Sequence, residues 1–323
     1  MPKLIYILAA SHSGSTLTAL LLGSHDDVST AGELKMSSFG DPDKYLCSCK
    51  SKVSDCLFWG DVESGMIRRG MDFSIRHPNT HFAARKGSFV SQILKPLYRG
   101  GFLEQLRTAL LACSPSWRKL FRVVQLQNQR LVATLAEVSQ SKFVVDSSKI
   151  GLRLHFLLKN KDLDIYVVHL VRDGRAVTLA YVDPESYADA LDPSLRGGGY
   201  GASRDSEIKS VRIAAREWRR SNEEAEVILR AVPSNRQVKI RYEDLCESPT
   251  KTLNKVFQML GLEVIDSIKD FRNKNEHIIG NGMRFDSGSD IRLDDRWKNE
   301  FTVQQLREFD DVAGGLNRKL RYQ

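Results

Sequence analysis

The sequence predicts an α/β fold, in which a central parallel sheet is flanked by helices. Several short and nearly continuous apolar runs alternate with segments of helical apolar spacing, a pattern typical of buried parallel strands and their crossover helices. The first run, 3–10, is followed by small polar residues and then by a helical segment. The chain is therefore expected to begin as a strand, a tight loop and a helix.

The later elements continue this alternation. Further strands are predicted at 28–34, 142–146, 165–171 and 237–245. The helical stretch 151–160 joins two of them into a second strand–helix–strand unit. After the last strand, Ser248 as N-cap, Pro249 at the first helical position and Gly261 near the C-cap predict another helix.

Two segments are predicted to stand apart from the sheet. Residues 36–139 are predicted to form a largely helical insertion within one domain that spans 1–323, because long helical patterns fill most of that segment. The Gly-rich patch 196–203 precedes an amphipathic helical segment and is predicted to form a loop on the substrate side.

Composition narrows the class of ligand and the compartment. The 323 residues carry a formal net charge of +8 and a pI of about 9.2, but no basic run is interleaved with aromatics. This distribution disfavours nucleic acid and favours a polyanionic small ligand. The opening apolar run is too short for a membrane span and lacks a signal-peptide pattern. With five scattered cysteines, an odd number, we expect reduced thiols and a cytoplasmic location.

Small polar residues follow the first predicted strand. They are Ser11, His12, Ser13, Gly14, Ser15 and Thr16. Backbone N–H groups at such a turn, together with the positive end of the next helix, can cradle an anion. The loop lacks the Gly-Lys-Ser/Thr that ends a nucleoside-triphosphate P-loop, which weakens a kinase or GTPase interpretation. A turn that only caps the helix is the alternative.

Charged residues end two other predicted strands. Glu33 ends the second strand, and Arg172 and Arg175 come directly after 165–171. Because the carboxyl ends of parallel strands meet at one edge, these side chains are expected near the loop. Arginine suits phosphate through its planar fork of donors, so this edge predicts a ligand with two separated anionic groups. An Arg172–Asp173 pair that only holds the turn is the alternative.

Four stretches, in their order and spacing, resemble the sulfotransferase family that uses 3′-phosphoadenosine 5′-phosphosulfate (PAPS). Residues 11–34 are similar to the phosphosulfate loop and its helix, and 144–177 to the 3′-phosphate segment. Residues 239–262 are similar to the late strand and helix, and 280–302 to the C-terminal loop over the nucleotide. The resemblance, greater to the bacterial-type branch than to the animal cytosolic one, implies a P-loop-like nucleotide-binding fold and PAPS as co-substrate.

The resemblance also implies roles for individual residues. It assigns the 11–16 loop to the phosphosulfate and Arg172 to the 3′-phosphate, with Arg284 or Arg292 as helpers. His12 departs from the family, because many relatives have Lys or Arg in the loop. Ala180 stands where relatives often have Ser. Lys149 either lies beside the phosphosulfate or is a surface residue at a helix start.

Sulfuryl transfer needs an in-line acceptor, stabilised equatorial oxygens and neutralisation of the leaving group. A sulfuryl group carries less charge than a phosphoryl group. We therefore expect the N–H groups at 13–16 and a cationic side chain to stabilise it, and we predict transfer without an obligatory metal. Glu33 is the first candidate for the general base, and His12 for the acid or electrostatic partner. The reverse assignment stays open.

Three cysteines, Cys47, Cys49 and Cys56, lie within ten residues. A structural zinc site takes four ligands and usually shows C-x₂₋₄-C pairs, whereas this C-x-C with one further cysteine leaves the fourth ligand unnamed. Reduced cysteines or a disulfide are the alternatives, and no metal site is assigned.

Two other functional classes remain open. One is a P-loop-type nucleotide kinase or NTPase, and the other is a nucleotide-binding relative that has lost catalysis. The expected acceptor group is a hydroxyl or an amine on a glycan, a lipid or another small molecule.

Overall fold

The computed structural model describes residues 1–36, 41–84, 88–94, 101–183, 209–268, 271–272, 277–280, 282–285 and 290–322. The Gly-rich patch 196–203, predicted as a loop on the substrate side, lies outside these residues.

Within the described residues, five parallel strands form one sheet in the order β2-β3-β1-β4-β5. The strands are β1 (Lys3–Ala9), β2 (Val28–Thr30), β3 (Phe143–Lys149), β4 (Asp164–Val171) and β5 (Gln237–Arg241). Helices cover both faces of this sheet, so the predicted α/β fold class is confirmed.

Helices connect the strands and follow the last of them. They are α1 (Ser15–Leu22), α2 (Leu57–Arg68), α3 (Phe89–Ile93), α4 (Gly101–Cys113), α5 (Pro115–Val138), α6 (Gly151–Leu157), α7 (Gly174–Val182), α8 (Val211–Leu229), α9 (Tyr242–Glu247), α10 (Pro249–Leu260), α11 (Trp297–Glu300), α12 (Val303–Phe309) and α13 (Gly315–Lys319). Among the helices of the described residues, none combines the length and apolarity that a membrane crossing requires.

The central strand β1 supplies apolar side chains to both faces of the sheet. Leu4 and Leu8 lie in the cluster that α5, α6 and α8 cover, whereas Ile5 and Ile7 lie in the cluster that α1 and α10 cover. All four side chains are buried. Removing each of them from water stabilises the fold by about 1.5–3 kcal/mol, so this alternation fixes which face of β1 meets which helix.

Four helices, α2 to α5, lie between β2 and β3 in the chain. The longest, α5, begins after Ser114, whose side chain accepts a hydrogen bond from the backbone N–H of Trp117, with Pro115 at the first helical position. Met66 of α2 and Leu131 of α5 are fully buried in the cluster that also contains Leu4. These helices therefore pack on one face of the sheet and share its core.

Three strands end elsewhere than the sequence predicts. β2 ends at Thr30, because Gly32 adopts a left-handed backbone (φ 85°) and the chain turns to pair with Ile279. β3 continues to Lys149, because its polar end still pairs with β1. β5 ends at Arg241 and passes directly into α9, whose first turn carries two acidic residues that favour a helix start.

Candidate functional site at the carboxyl edge of the sheet

The 11–16 loop joins β1 to α1 at the carboxyl edge of the sheet. Its backbone is left-handed at His12 (φ 61°) and at Gly14 (φ 86°). A Cβ atom at Gly14 would lie 2.5 Å from the ring of Tyr242, so only glycine fits there. In the described part of the chain, no side chain caps the N-terminus of α1. The first N–H groups of this helix are thereby left for an anion.

Burial differs along this loop. Ser11 is exposed, His12, Gly14 and Thr16 are half-buried, and Ser13 and Ser15 are buried. The Oγ atom of Ser13 has no hydrogen-bond partner among the described residues, although it is buried. A buried hydroxyl without a partner is costly, and a bound anion would relieve that cost. The imidazole of His12 packs edge-to-face against Tyr181, with ring centroids 4.7 Å apart.

Arg172 follows β4 and contacts the loop directly. One terminal nitrogen donates to the carbonyl oxygen of His12 at 2.8 Å. The other donates to the carbonyl of Asp294 at 2.8 Å and to its carboxylate at 3.0 Å. The guanidinium carbon lies 4.4 Å from the ring centroid of Tyr242, and the Nε atom has no partner among the described residues. Arg172 thus holds the loop and retains a buried donor.

The alternative in which Arg172 pairs with Asp173 is wrong. Asp173 accepts a hydrogen bond from the backbone N–H of Arg175 and so caps α7. Its carboxylate pairs instead with the guanidinium of Arg175 at 2.7 Å. That guanidinium stacks 3.8 Å from the ring centroid of Trp297. Arg175 and Asp173 therefore hold the strand-to-helix turn, and Arg172 is left to contact the loop.

Glu33 lies after β2, at the same edge of the sheet. Its backbone N–H donates to the carbonyl of Ile279 at 2.9 Å. Its carboxylate is buried between two ammonium groups, those of Lys149 and Lys35, the second at 3.0 Å. Burial alone would raise the pKa of Glu33, but the two lysines outweigh it and lower the pKa to about 2. Glu33 is therefore ionised throughout the neutral range.

Lys149 ends β3, directly opposite Leu8 of β1. Its backbone is left-handed (φ 68°), and only 16% of its side chain is exposed. Because Leu8 lies three residues before Ser11, this register places Lys149 between Glu33 and the loop. Its burial and its ion pair with Glu33 argue against the alternative of a surface lysine at a helix start.

Sequence reasoning missed two residues that shape this site. Lys35 is the second ion-pair partner of Glu33. Its position two residues after Glu33 in the sequence could have indicated this contact. Asp146 is fully buried in the middle of β3 and accepts hydrogen bonds from the N–H of Leu34 at 3.1 Å and from Arg153 at 3.1 Å. In the sequence, Asp146 ends the apolar run 142–146 and lies seven residues before Arg153, a pattern that could have indicated a buried ion pair. Asp146 fixes the backbone beside Glu33.

The two predicted helper arginines lie in different surroundings. The buried guanidinium of Arg284 donates to the carbonyls of Leu46 and Gly280 and stacks on Tyr45 and on Phe285. These contacts engage all three of its nitrogens in holding two loops together. The assignment of Arg284 to the nucleotide stays a prediction.

Arg292 is the other predicted helper. Its side chain is 84% exposed and pairs with Asp290 at 3.0 Å. Its carbonyl accepts a long hydrogen bond, 3.4 Å, from the hydroxyl of Tyr242, the ring that abuts Gly14. The backbone of Arg292 therefore lies near the loop, whereas its guanidinium is in solvent. Its contact with the nucleotide stays a prediction.

Comparisons with known proteins bear on this site as a whole. Residues 164–266, which include β4, Arg172 and β5, match the model of the sulfotransferase family. Carbohydrate sulfotransferase 5 of Mus musculus is 25% identical over 177 residues, which is 52% of this chain and 44% of that protein. Carbohydrate sulfotransferase 6 of Homo sapiens is 25% identical over 176 residues, with the same coverage. The chain thus spans less than half the length of these curated relatives.

Solved structures are similar to this chain in fold. The sulfotransferase domain from the olefin synthase of Synechococcus PCC 7002 is 17% identical, with a TM-score of 0.52, and the match covers 99% of this chain and 95% of that one. The sulfotransferase domain from the curacin biosynthetic pathway is also 17% identical, with a TM-score of 0.50 and coverage of 100% and 99%. The family model and the curated relatives each match part of the chain, and together with this fold they make the chain similar to sulfotransferases.

Proposed function

We propose that this protein transfers the sulfuryl group of PAPS to a hydroxyl of an acceptor molecule. One observation carries the proposal: the 11–16 loop, Arg172 and the Glu33–Lys149 pair meet at the carboxyl edge of one parallel sheet. That edge is where ligands bind in open α/β sheets. The three groups supply an anion cradle, a second cation and a carboxylate, which are the parts that sulfuryl transfer needs.

The residues at this edge fit a nucleotide with two anionic groups. The uncapped N-terminus of α1 and the buried Oγ of Ser13 suit the 5′-phosphosulfate. The guanidinium of Arg172, with its buried Nε, suits the 3′-phosphate. For Arg172 to bind that phosphate, the carboxylate of Asp294 has to yield its place, because the two compete for one guanidinium.

The proposed reaction is a single in-line displacement. The acceptor oxygen forms a bond to sulfur while the bond from sulfur to the bridging oxygen of the nucleotide breaks. The acceptor proton passes to a base on the protein, and PAPS leaves as adenosine 3′,5′-bisphosphate. N–H groups at 13–16 hold the equatorial oxygens, and the ammonium of Lys149 neutralises charge at the leaving oxygen.

Glu33 is the proposed base, and its lysine partners set its strength. With both ammonium groups in contact, its pKa of about 2 makes the carboxylate a weak proton acceptor. Movement of Lys149 from Glu33 to the phosphosulfate would remove the larger of the two effects that lower the pKa of Glu33, and so would strengthen the base. If Lys149 stays on Glu33, His12 takes the proton and Glu33 orients the acceptor.

The first acceptor to test is a carbohydrate hydroxyl, because the curated relatives are named as carbohydrate sulfotransferases. Amines and lipid hydroxyls follow. A cytoplasmic location, expected from the composition, belongs to the same proposal.

Ligand screening tests the proposal against a nucleotide kinase or NTPase. A ligand that binds the folded state raises its melting temperature, so PAPS and adenosine 3′,5′-bisphosphate should raise it, whereas ATP and GTP should not. Stabilisation by ATP or GTP, with no response to the bisphosphate, would contradict the proposal. Because the loop has no Gly-Lys-Ser/Thr, added Mg²⁺ should leave the transfer rate unchanged.

Turnover separates an enzyme from a relative that only binds nucleotide. Labelled PAPS is incubated with the protein and a panel of carbohydrates, and label on the carbohydrate is measured. Tight binding of PAPS without transfer to any acceptor in carbohydrate, lipid and amine panels would favour the inactive relative.

A further inference from the structure

Four potential metal ligands from two distant segments meet beside the proposed active site. They are Cys47, Cys49, Cys56 and His277, and their sulfur and nitrogen atoms all lie within 4.8 Å of one another. Cys49 Sγ lies 3.7 Å from Cys56 Sγ, and Nδ1 of His277 lies 3.2 Å from Cys56 Sγ and 3.7 Å from Cys47 Sγ. His277 thereby supplies the fourth ligand that the cysteine spacing lacks.

The three separations that involve Cys56 and His277, 3.2–3.7 Å, lie close to the edges of a zinc tetrahedron. Bonds of about 2.3 Å from zinc to sulfur and about 2.0–2.1 Å from zinc to nitrogen place neighbouring ligand atoms roughly 3.5–3.8 Å apart. A disulfide would bring two sulfurs to about 2.05 Å, and all five cysteines of the chain are free thiols. We propose that Cys47, Cys49, Cys56 and His277 form a structural zinc site.

The local backbone places the cysteines as a metal site requires. Leu46 and Lys52 form an antiparallel bridge, and Lys50 turns the chain with a left-handed backbone (φ 67°). In this small hairpin, Cys47 and Cys49 stand two residues apart and present their sulfurs to one point. Cys56 is the N-cap of α2, where the positive helix end favours a thiolate.

The surroundings of His277 hold its ring in place. The ring stacks on Phe58, with centroids 4.7 Å apart and planes 7° from parallel. The next residue, Ile278, donates its N–H to the hydroxyl of Ser48 at 2.8 Å. These contacts fix the ring beside the hairpin, as the outer contacts of metal sites do. Cys47 and Cys56 are buried while Cys49 is exposed, which gives a metal ion a route from solvent.

The proposed zinc site would support the backbone of the proposed active site and take no part in the reaction. Four protein ligands close a zinc coordination sphere, so the ion has no open position for a substrate. Two residues after His277, Ile279 pairs with the backbone of Ala31 and Glu33. Zinc would therefore join the 46–52 hairpin and the start of α2 to the segment that supports Glu33. This structural role goes beyond the proposed transfer reaction.

Metal content of the full chain tests this proposal without any activity assay. Protein purified with a thiol reductant and no chelator is analysed by inductively coupled plasma mass spectrometry, and we expect one zinc per chain. Cys49→Ser, Cys56→Ser and His277→Ala should each lose most of the zinc. Cys113→Ser, which changes an exposed cysteine of α4, is the matched control and should keep it. Wild-type protein without zinc, or equal loss in the control, would overturn the proposal.

Cobalt supplies a second readout that does not depend on how well the variants fold. Wild-type protein stripped of metal and loaded with Co²⁺ should show thiolate-to-cobalt charge transfer and the intense visible bands of a tetrahedral ion. Octahedral cobalt bands would overturn the proposal, as would a Cys49–Cys56 disulfide in protein prepared under reducing conditions. Zinc should also raise the melting temperature of the stripped protein, because binding to the folded state stabilises it.

Discussion

Two cations flank the 11–16 loop, and each is tied to a carboxylate in a different way. On the β3 side, Lys149 pairs with Glu33, which is buried and whose own backbone is paired with Ile279. On the β4 side, Arg172 pairs with Asp294, whose side chain is 23% exposed and lies outside any strand or helix. The carboxylate of the first pair belongs to the framework, whereas the second carboxylate can leave its cation without breaking the sheet.

This difference separates the proposed roles of the two sides. A carboxylate fixed among buried groups keeps its position while an acceptor reacts, which suits a base. A carboxylate on an irregular segment can be replaced by a phosphate, which suits a site that must release its nucleotide. The predictions below change one member of each pair in turn.

Glu33→Gln should have the largest effect. The amide keeps the shape of the side chain but accepts no proton, so kcat should fall by about 10²–10⁴ while the affinity for PAPS stays nearly unchanged. Steady-state kinetics and calorimetry measure the two quantities. The exposed carboxylate of Glu247 at the end of α9 offers a control, and Glu247→Gln should keep wild-type kcat.

His12→Ala decides between the two candidate bases. With Glu33 as the base, this variant should lower kcat and also weaken PAPS binding, because the His12 side chain is proposed to contact the phosphosulfate. Near-wild-type kcat in Glu33→Gln, together with loss of turnover but not of PAPS binding in His12→Ala, would make His12 the base.

Arg172→Ala should have the next largest effect. Loss of a charge-assisted contact to the 3′-phosphate should weaken adenosine 3′,5′-bisphosphate binding by on the order of 2–4 kcal/mol. AMP lacks that phosphate, so its affinity should change far less. Because Arg172 also holds the loop carbonyl of His12, equal losses for both ligands in calorimetry would assign Arg172 to loop support instead.

The sheet was largely predictable from the sequence because buried parallel strands leave continuous apolar runs. The runs at 3–10 and 165–171 became β1 and β4 with ends shifted by a residue at most. The predicted strand 237–245 was too long, because the chain passes into α9 at Tyr242. Strand ends depended on contacts, such as that between Gly32 and Ile279, which join residues far apart in the chain.

The sequence alone could predict only the site residues that lie at the ends of predicted strands. The positions of Glu33 and Arg172 at one edge followed from the parallel topology. Their partners did not, because the contact of Lys149 with Glu33 depends on the register of β3 beside β2 and β1. The role of His277 was equally hidden, since 221 residues separate it from Cys56.

The ion pairs of Glu33 predict an acid-dependent loss of stability. A carboxylate whose pKa is lowered by folding contributes stability that is complete above its unfolded pKa and is lost as the pH falls through the folded value. For Glu33 that window runs from an unfolded pKa of about 4.3 down to about 2. Its contribution is at most about 3 kcal/mol.

Denaturant unfolding at several pH values measures this contribution. The difference in unfolding free energy between wild type and Glu33→Gln should be largest at neutral pH and should shrink as the pH falls from about 4 to about 2. A difference that stays constant through this window would show that the lysines do not stabilise the ionised form of Glu33.

Asp294→Asn should have the smallest effect, and it probes the other pair directly. In the free protein the carboxylate of Asp294 occupies the guanidinium that the 3′-phosphate is proposed to bind. Without that charge, the phosphate has less to displace, so adenosine 3′,5′-bisphosphate should bind more tightly by about 0.5–1 kcal/mol, the scale of a partly exposed ion pair.

Asp295→Asn is the matched control for this change. Asp295 is the next residue and also forms a 2.8 Å ion pair, but with Lys298 at the surface, so its loss should leave nucleotide affinity unchanged. Calorimetry with adenosine 3′,5′-bisphosphate on both variants shows whether Asp294 competes with the phosphate for Arg172 or holds Arg172 in place for it. If Asp294 instead orients Arg172 for the nucleotide, Asp294→Asn will weaken bisphosphate binding as Arg172→Ala does. In that case the β4 side is as fixed as the β3 side, and the contrast between the two pairs fails.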